Sequence, residues 1–537
     1  MSRIDVDTRR PSFRGPLAIW RRFAHFLGLR NTETREQVVR RYVTLHPGKP
    51  CTEFRRAESE RLLRAQPFIA TARVRALADG PDSVRIVAET VDEVPVLAAV
   101  RVGSDNWLVA LGNDNAFGTG TRILLRAEQR DHYRNGYGFG FEHRQLFGRP
   151  YTLRLDRVQY PIGDRWLGEL GHPFLTDLQR IAWNVGSWQR REPARLRVDD
   201  SDDELALPLR QTVWDVGGVV RIGPPGRAFL AGGALTGEEL IFAPEAVLIT
   251  DTGIVAAPPD EAATAAQFRP GHSIRGNLIA GFRNIRYRTA RGFDALTGEQ
   301  DLANGFQTNL IVGKSIPGIS EDDDAFFAAR AFAGRGGGRS YGGIQVDGEA
   351  RLALEDTTKW DGVLGSARAA WYHKPGPRLT SIASLEWAGG WRERFPILLE
   401  LGDNRGGVRG FAGADIAGAR RAVARIEQRY VVGPIMRRGD LGFAAFADAG
   451  KVWAGDAPFG ETSPVAMSVG VSVLAAVPVG GQRLYRVDVA FPIRGPGDHG
   501  VEIRFIGVDR TRHFWETPDD VVRARSAVIS QRIFDWP

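Results

Sequence analysis

The feature that most constrains this chain is a period of two. From about residue 96 onwards, short stretches of alternating apolar and polar residues follow one another for roughly 400 residues, without a convincing helix. Such alternation predicts β-strands, because successive side chains of a strand point to opposite faces of its sheet. The clearest stretch is QRLYRVDVAFPI, whose two faces differ in character: Tyr485, Val487, Val489 and Phe491 on one, Arg486 and Asp488 on the other.

Two further stretches separate apolar from charged residues in the same way: Val501, Ile503 and Phe505 against Glu502 and Arg504 in GVEIRF, and Ala424, Ile426 and Tyr430 against Arg425, Glu427 and Arg429 in AVARIEQRY. A soluble sandwich alternates with its apolar face inward. A transmembrane barrel turns its apolar face to lipid and must close, because lipid offers no hydrogen-bond partners. We count roughly 16–18 candidate strands. They favour a transmembrane barrel, with a soluble protein of several sheets as the alternative.

The composition agrees with an all-β chain of tight turns, since the 537 residues include 63 glycines, 13 tryptophans and 3 methionines. Lys and Arg number 71 against 64 Asp and Glu, a net charge of +7. That excess reflects either an ordinary solvated surface or attraction to anionic lipid and lipopolysaccharide. Cys51 is the single cysteine, so no intramolecular disulfide can form. No run of about 18 apolar residues predicts a transmembrane helix.

Residues 1–34 form a basic lead-in. A short amphipathic helix is predicted within them from apolar residues at helical spacing, namely Leu17, Trp20, Phe23, Ala24 and Leu27. Such a helix packs on its own protein, lies on a membrane surface or plugs a pore, and these alternatives stay open here. The segment does not have the form of a secretory signal, because Arg21 and Arg22 interrupt its apolar stretch.

Residues 35–95 are predicted to form a small α+β module in the order strand, helix, strand, strand. VVRRYVTL is interpreted as the first strand, and CTEFRRAESERLLRAQPF as a helix that ends near Pro67. ATARVRA alternates cleanly and SVRIVAETVDEV follows it, so both are expected to be strands. The module is close to the lower size limit for an independent domain.

The sequence offers no support for enzyme chemistry. GRSYG, residues 338–342, spells the pattern of a nucleophile elbow, but its flanks predict two strands instead of a strand and a helix. The acidic runs at residues 199–204 and 321–324 could hold a divalent cation, yet we interpret them as solvated turns. The nine histidines form no metal-binding pair. We therefore expect no catalytic residue, no metal and no cofactor.

Several motifs occur in a defined order: GNDNAFGTGTRILLRAE, GYGFGFEHRQLFG, LGDNRGGVRGFAG, RIEQRY, FAAFADAGKVW and DHGVEIRF. Together with ESERLLRAQPFIATARV upstream, they resemble the BamA/TamA superfamily of bacterial outer-membrane proteins, in which POTRA domains precede a 16-stranded barrel. The resemblance covers most of residues 35–509. It implies an all-β transmembrane barrel of about 16 antiparallel strands over 96–509, preceded by one small α+β POTRA-like domain over 35–95.

The resemblance also implies a loop that folds back into the lumen. Its motif is Val408, Arg409, Gly410 and Phe411. The implied clamp partners of Arg409 are Glu427 and Asp448, and a guanidinium presents a fork of donors suited to carboxylates. The remaining motif residues are the F-x-D-x-G set of Phe446, Asp448 and Gly450, and the β-signal on the last strand at Asp498, Gly500, Ile503 and Phe505.

Residues 510–537 depart from the family, whose members usually end after the last strand. Thr517 is a candidate N-cap with Pro518 in the first turn, which predicts a helix. Alternatively, IGVDRTRHFW extends the last strand. In the family's orientation the tail lies in the periplasm, where it caps the pore or extends freely.

The function implied is that of an outer-membrane assembly or translocation factor, with its N-terminal domain and C-terminal tail in the periplasm. The POTRA would receive unfolded or lipidated client polypeptides by strand addition, and the barrel would open between its first and last strands. A dedicated exporter of the two-partner type and a passive or structural barrel are the alternatives. Expected partners are outer-membrane lipid, lipopolysaccharide, client polypeptides and accessory lipoproteins, but no nucleic acid.

Overall fold

A computed structural model of the chain describes residues 1–11, 33–102, 107–129, 135–197, 203–250, 252–354, 359–394, 396–402, 406–412, 416–435, 437–496, 500–507, 515, 517–525 and 532–534. Within them the chain forms a small N-terminal unit and a closed β-barrel. The amphipathic helix predicted around Leu17 and Trp20 lies outside the described residues.

A three-stranded sheet packed with two helices forms the N-terminal unit. Its elements are β1 (Ile4–Arg9), α1 (Glu36–Tyr42), α2 (Glu53–Arg64), β2 (Ile69–Ala78) and β3 (Val84–Asp92). The strand order is β1-β3-β2, with β1 parallel and β2 antiparallel to β3. A continuous apolar core joins sheet and helices, and its members include Val39, Leu45, Leu63, Phe68, Ile69, Val74 and Ile86.

Two features of this unit differ from the prediction. VVRRYVTL, interpreted as a strand, is helical as far as Tyr42. Valines favour strands on average, but Val38, Val39 and Tyr42 share one helical face and are buried together. The first strand of the sheet is instead β1, which lies ahead of residue 35, where we place the start of the module.

The barrel strands follow in chain order: β4 (Val96–Val102), β5 (Trp107–Ala116), β6 (Thr121–Gln129), β7 (Gly136–His143), β8 (Thr152–Tyr160), β9 (Gly163–His172), β10 (Ile181–Arg195), β11 (Glu204–Ile222), β12 (Ala228–Phe242), β13 (Val247–Thr250), β14 (Gly253–Ala256), β15 (Gly271–Arg291), β16 (Glu299–Ser315), β17 (Asp324–Gly337), β18 (Ser340–Ala353), β19 (Lys359–Gly376), β20 (Leu379–Trp391), β21 (Leu399–Glu400), β22 (Ala417–Gly418), β23 (Arg420–Ile435), β24 (Gly439–Trp453), β25 (Ala466–Ala476), β26 (Leu484–Arg494) and β27 (Glu502–Gly507). The hairpin β13–β14 extends from β11, and β21 pairs with β22 alone. Short helices are α3 (Pro259–Ala262) and α4 (Asp519–Ala524), with 3₁₀ turns at Leu146–Gly148 and Ala263–Gln267.

Twenty strands close the circumference over the described residues, so the expectation of about 16 is wrong. All neighbouring strands around it are antiparallel, and β27 closes the ring by pairing with β4. The first six barrel strands lie within residues 96–172. A local period of two is the same for any number of strands, so it does not give the size of the barrel.

The barrel has an apolar outside and a charged inside. Ile426, Val471 and Ile503 are each more than half exposed on its outer surface. Arg486 and Asp488, on the opposite face of β26 from Val487, are 5% and 2% exposed. This inversion of the usual pattern is the one expected of a barrel surrounded by lipid. Among the described helices, none is long and apolar enough to cross a membrane.

The N-terminal unit contacts one end of the barrel, which we call the proximal rim. Arg64 forms an ion pair with Asp301 at 2.8 Å, and Arg61 donates to the carbonyl oxygen of Leu175 at 2.7 Å. Arg483 donates to the carbonyl oxygen of Val94 at 2.7 Å. Because β4 starts at this rim and the barrel strands alternate in direction, β27 ends there as well.

The C-terminal tail, expected beyond the rim, instead packs inside the barrel in its described part. Asp520 and Arg525 are buried and pair with residues on barrel strands. Ile533 and Phe534 join a buried apolar cluster with Ala182, among other residues. The helix α4 starts after Pro518, which takes the N-cap position predicted for Thr517. The last strand is described as far as Gly507, and residues 508–514, where the alternative extension of this strand is predicted, lie outside the described part of the chain.

Candidate functional site

The candidate site is built by the connection between β20 and β23, residues 392–419, which we call the lumen loop. It leaves the distal rim, opposite the N-terminal unit, and β21 pairs with β22 to form its neck. Its apolar side chains are buried against the barrel wall, in a cluster formed by Leu401, Val408, Phe411, Val423, Val452 and Ala466. The loop is therefore packed within the barrel, although its high glycine content alone is typical of a mobile surface connection.

Arg409 is held at the tip of the lumen loop by Asp448 on β24. Its Nε and Nη2 atoms donate to the two carboxylate oxygens of Asp448, each at 2.7 Å. The backbone N–H of Arg409 also donates to Asp448 Oδ2 at 3.3 Å. Arg409 is 4% and Asp448 2% exposed. A buried, two-pronged guanidinium–carboxylate pair of this kind defines both position and orientation.

Glu427 on β23 lies next to the same guanidinium but has closer partners. Its carboxylate is 3.5 Å from Arg409 Nη1, whereas Arg486 Nη2 approaches to 2.7 Å and Arg429 Nε to 2.6 Å. Asp488 on β26 is 3.6 Å from Arg409 Nη1 and accepts from Arg486 Nε at 2.5 Å. The result is a network of alternating positive and negative groups on β23, β24 and β26.

The F-x-D-x-G residues share the inner face of β24. The Arg409 guanidinium carbon stands 3.5 Å from the centroid of the Phe446 ring, a cation–π contact that adds to the ion pair. Two positions beyond Asp448, Gly450 leaves room for Val408, because a Cβ there would overlap the valine side chain. Thus Phe446, Asp448 and Gly450 each contact the loop motif through a different interaction.

Gly410 connects the lumen loop to the strand that closes the barrel. Its φ of +94° is a left-handed conformation that residues with a Cβ rarely adopt. In that conformation its N–H donates to Glu502 Oε2, on β27, at 2.6 Å. Arg504 on the same strand pairs with Glu502. The loop and the closing strand are therefore in direct contact.

The β-signal residues lie at this closing strand, except that Asp498 is outside the described residues. Ile503 and Phe505 alternate with the buried Glu502 and Arg504, and Ile503 is 55% exposed on the outer surface. Gly500 precedes the strand, and nothing lies within 4 Å of the position its Cβ would take. The described part of the signal thus places its apolar residues outward.

Sequence reasoning did not assign a role to Arg486, Asp488, Arg429 or Glu502. Each belongs to the polar face of an alternating stretch, so the signal that they face the lumen was present. Nothing in that pattern shows which lumen residues meet across the barrel, because the pairs join positions 39 to 92 residues apart. Among the described residues, no group of three or more His, Cys, Asp or Glu is placed to hold a metal ion.

Residues 340–506 match the Omp85 superfamily domain, which confirms the resemblance to the BamA/TamA superfamily. No curated protein matches the chain. Among solved structures, BamA from Haemophilus ducreyi lacking POTRA domains 1–3 is 14% identical, with a TM-score of 0.40 over 94% of this chain and 84% of that one. CdiB from Escherichia coli is 11% identical, with a TM-score of 0.45 over 94% and 76%. CdiB from Acinetobacter baumannii is 10% identical, with a TM-score of 0.40 over 94% and 73%.

Proposed function

We propose that this chain, whose residues 340–506 form an Omp85 superfamily domain, assembles client polypeptides into the outer membrane or translocates them across it. One observation carries the proposal: the lumen loop is pinned to β24 through Arg409 and also touches β27 through Gly410. A loop bound to both the wall and the closing strand links events in the lumen to opening of the seam. The work is non-covalent, and folding of the client supplies its free energy.

The seam between β27 and β4 is proposed as the opening through which a client strand enters. Among the described residues it pairs Ile503–Gly507 with Ala98–Val102. β27 pairs with β26 over five residues as well. The proposal places the opening at this seam because β27 is the strand that the lumen loop contacts through Gly410.

The N-terminal unit is proposed to act as a POTRA-like receiver in the periplasm. Strand addition requires an accessible sheet edge, and the sheet has its edges at β1 and β2. At the β2 edge, the N–H of Val74 donates to Glu60 at 3.1 Å and its carbonyl accepts from Arg56 at 2.6 Å. Helix α2 thus covers the middle of β2, and the proposal assigns the client to β1.

Photo-crosslinking tests this assignment. A photoreactive residue replaces Asp5 on β1 or Ala76 on β2, and an unfolded barrel client is added to the full chain in liposomes. We expect crosslinks from position 5 and none above background from position 76. Crosslinks from position 76 alone would reverse the assignment.

A liposome insertion assay tests the assembly function itself. Proteoliposomes containing the full chain should accelerate folding of an unfolded barrel client, measured by the gel shift of its folded form. Deletion of residues 1–95 removes the sheet edge that receives the client, so the acceleration should be lost. The barrel strands, which begin at Val96, should still fold. Equal client folding in empty liposomes would contradict an assembly role. Outer-membrane lipid and lipopolysaccharide are varied in the same assay, and accessory lipoproteins are added to it.

Export of one partner polypeptide is the second candidate. The observation in its favour is that two segments of the chain, the lumen loop and the tail, occupy the barrel interior. A passage for a polypeptide requires such a closure while no polypeptide is passing. Secretion of a partner encoded beside this gene, with no effect on client insertion, would favour export. A barrel active in neither assay would be a passive one.

A further inference from the structure

The tail enters the lumen with an acidic side chain that is paired to the wall. Arg421 on β23, 1% exposed, donates from Nη1 to Asp520 Oδ2 at 2.5 Å and from Nη2 to Oδ1 at 3.2 Å. The same Nη1 donates to the carbonyl oxygen of Glu400, in the neck of the lumen loop, at 2.7 Å. One guanidinium therefore joins the tail, the barrel wall and the loop.

Tail and lumen loop also touch directly. A Cβ placed on Gly406 of the loop would lie 2.7 Å from the Cβ of Pro518 in the tail. The loop leaves the distal rim and the tail follows β27 at the proximal rim, so segments from opposite ends of the barrel meet inside it.

A basic side chain of the tail is paired to a different part of the wall. Arg525 Nη1 is 3.3 Å from Asp347 on β18, and Nη2 donates to Ser366 on β19 at 2.7 Å. Arg368 on β19 donates to Thr517 of the tail at 2.8 Å. The tail thus meets charged wall residues of both signs with complementary groups of its own.

Apolar residues of the tail are buried in the same interior. Val521 is fully buried, as is Leu399 of the loop neck in the same cluster. The other members are wall and loop residues: Leu209, Leu240, Leu364, Ala388 and Ile397. Ile533 and Phe534 pack further along with Phe174, Ala182, Val219 and Leu230.

We propose that the C-terminal tail is a displaceable plug of the barrel lumen. Its position is defined by side-chain pairs with the wall and the loop, and residues 517–525 and 532–534 contribute no strand to the barrel. Because its described residues belong to no barrel strand, they can withdraw through the proximal rim without breaking any strand pairing. A polypeptide that enters the lumen would take over Arg421, Arg368 and Asp347 as its binding groups.

Deletion of residues 515–537 tests the proposal and leaves β27 complete. Single-channel conductance in planar bilayers requires no client, so the result stands apart from the function proposed above. We expect the deletion to raise the time spent open several-fold. A synthetic peptide of residues 515–537, added at the proximal side, should restore the closed state. The same peptide with Asp520→Ala and Arg525→Ala should restore it only at much higher concentration.

A charge reversal tests the full-length chain if the deletion variant does not fold. Asp520→Arg places a second guanidinium against Arg421 in the lumen, and it should raise the time spent open several-fold. Asp520→Asn, which keeps an acceptor oxygen for Arg421, should have a smaller effect. A folded deletion variant with unchanged conductance, or a folded Asp520→Arg variant that opens no more often than the wild type, would overturn the proposal.

Discussion

At the scale of single residues, the lumen is organised by charges that are buried and paired. The main partner of Arg409 is Asp448, whose two carboxylate oxygens accept from its guanidinium. Glu427 and Asp488 lie within 3.6 Å of that guanidinium, and the Phe446 ring packs against its plane. Buried ions are costly to remove from water, and a pair offsets that cost only with good geometry. Loss of one partner leaves a buried charge without compensation, so the network is sensitive to single substitutions.

Arg409→Ala should release the lumen loop. Since it leaves Asp448 buried without its main partner, docking of the loop should weaken by about 3–5 kcal/mol. The measurement is hydrogen exchange and protease protection of residues 399–411. Arg210→Ala is the matched control, because Arg210 is 46% exposed and 3.6 Å from Glu239, a surface pair worth about 1 kcal/mol or less. Unchanged protection in Arg409→Ala would contradict the anchoring role.

Asp92 in the N-terminal unit should titrate near neutral pH. Burial raises the pKa of its carboxyl to about 6, although the N–H and hydroxyl of Thr34 donate to it at 2.8 and 2.7 Å. The folded unit therefore binds more protons than the unfolded one between pH 4 and 6. The contribution of Asp92 to the stability of the unit should be fully present below about pH 4 and should be lost, by about 2–3 kcal/mol, as the pH rises through 6.

Carbon-13 NMR of the aspartate carboxyls in detergent-solubilised full-length protein measures this titration directly. Asp92→Asn should remove the resonance that titrates near pH 6 and flatten the pH dependence of hydrogen exchange in the unit. An Asp92 midpoint near pH 4 would show that the hydrogen bonds from Thr34 offset the effect of burial on the pKa, and it would contradict the prediction.

At the scale of elements, the lumen loop is ordered by close packing in spite of its glycines. The short pairing of Leu399–Glu400 with Ala417–Gly418 forms its neck, and Val408 and Phe411 are fully buried. At Gly402 a Cβ would overlap the carbonyl oxygen of Phe411, so the loop backbone at these two residues approaches more closely than a residue with a Cβ would allow.

Gly402→Ala should therefore displace the loop tip. The overlap is with backbone, which cannot rotate away as a side chain would, and we expect a destabilisation of about 1–3 kcal/mol. Protease sensitivity of residues 399–411 reports it. Gly276→Ala on β15 is the control, since nothing lies within 4 Å of its Cβ position. Equal effects of the two substitutions would mean that the close passage is not needed.

At the scale of the whole molecule, strand number and lumen contents are connected. The diameter of a barrel grows with its number of strands, so twenty strands enclose a wider lumen than sixteen would. The lumen loop from one rim and the tail from the other occupy part of that width. β27 lies beside this interior and contacts the loop through Gly410.

A disulfide between β4 and β27 tests whether client insertion requires the barrel to open at this seam. Ala99→Cys with Ile506→Cys joins facing positions of β4 and β27, in a Cys51→Ser background. Oxidation should abolish client insertion in liposomes, and reduction should restore it. The control is Ala331→Cys with Val346→Cys, facing positions of β17 and β18, where oxidation should have no effect. Full activity of the oxidised seam variant would contradict lateral opening.

The sequence by itself determined the class of fold and the direction in which side chains point. Alternation places Ile503 and Glu502 on opposite faces of the sheet without knowledge of any contact, because it depends only on the local geometry of a strand. The family motifs also point to Arg409, Glu427 and Asp448 as lumen residues. These inferences are local, or depend on motif order along the chain.

Only the tertiary structure decided the strand number, the helix at Glu36–Tyr42, the division of partners around Arg409 and the position of the tail. Each depends on which distant segments meet. Asp448 rather than Glu427 receives the fork of Arg409, and Asp520 meets Arg421 across 99 residues of sequence. A pattern of local alternation is the same for every barrel size and every interior partner. Closure of the sheet and the filling of its lumen select among them.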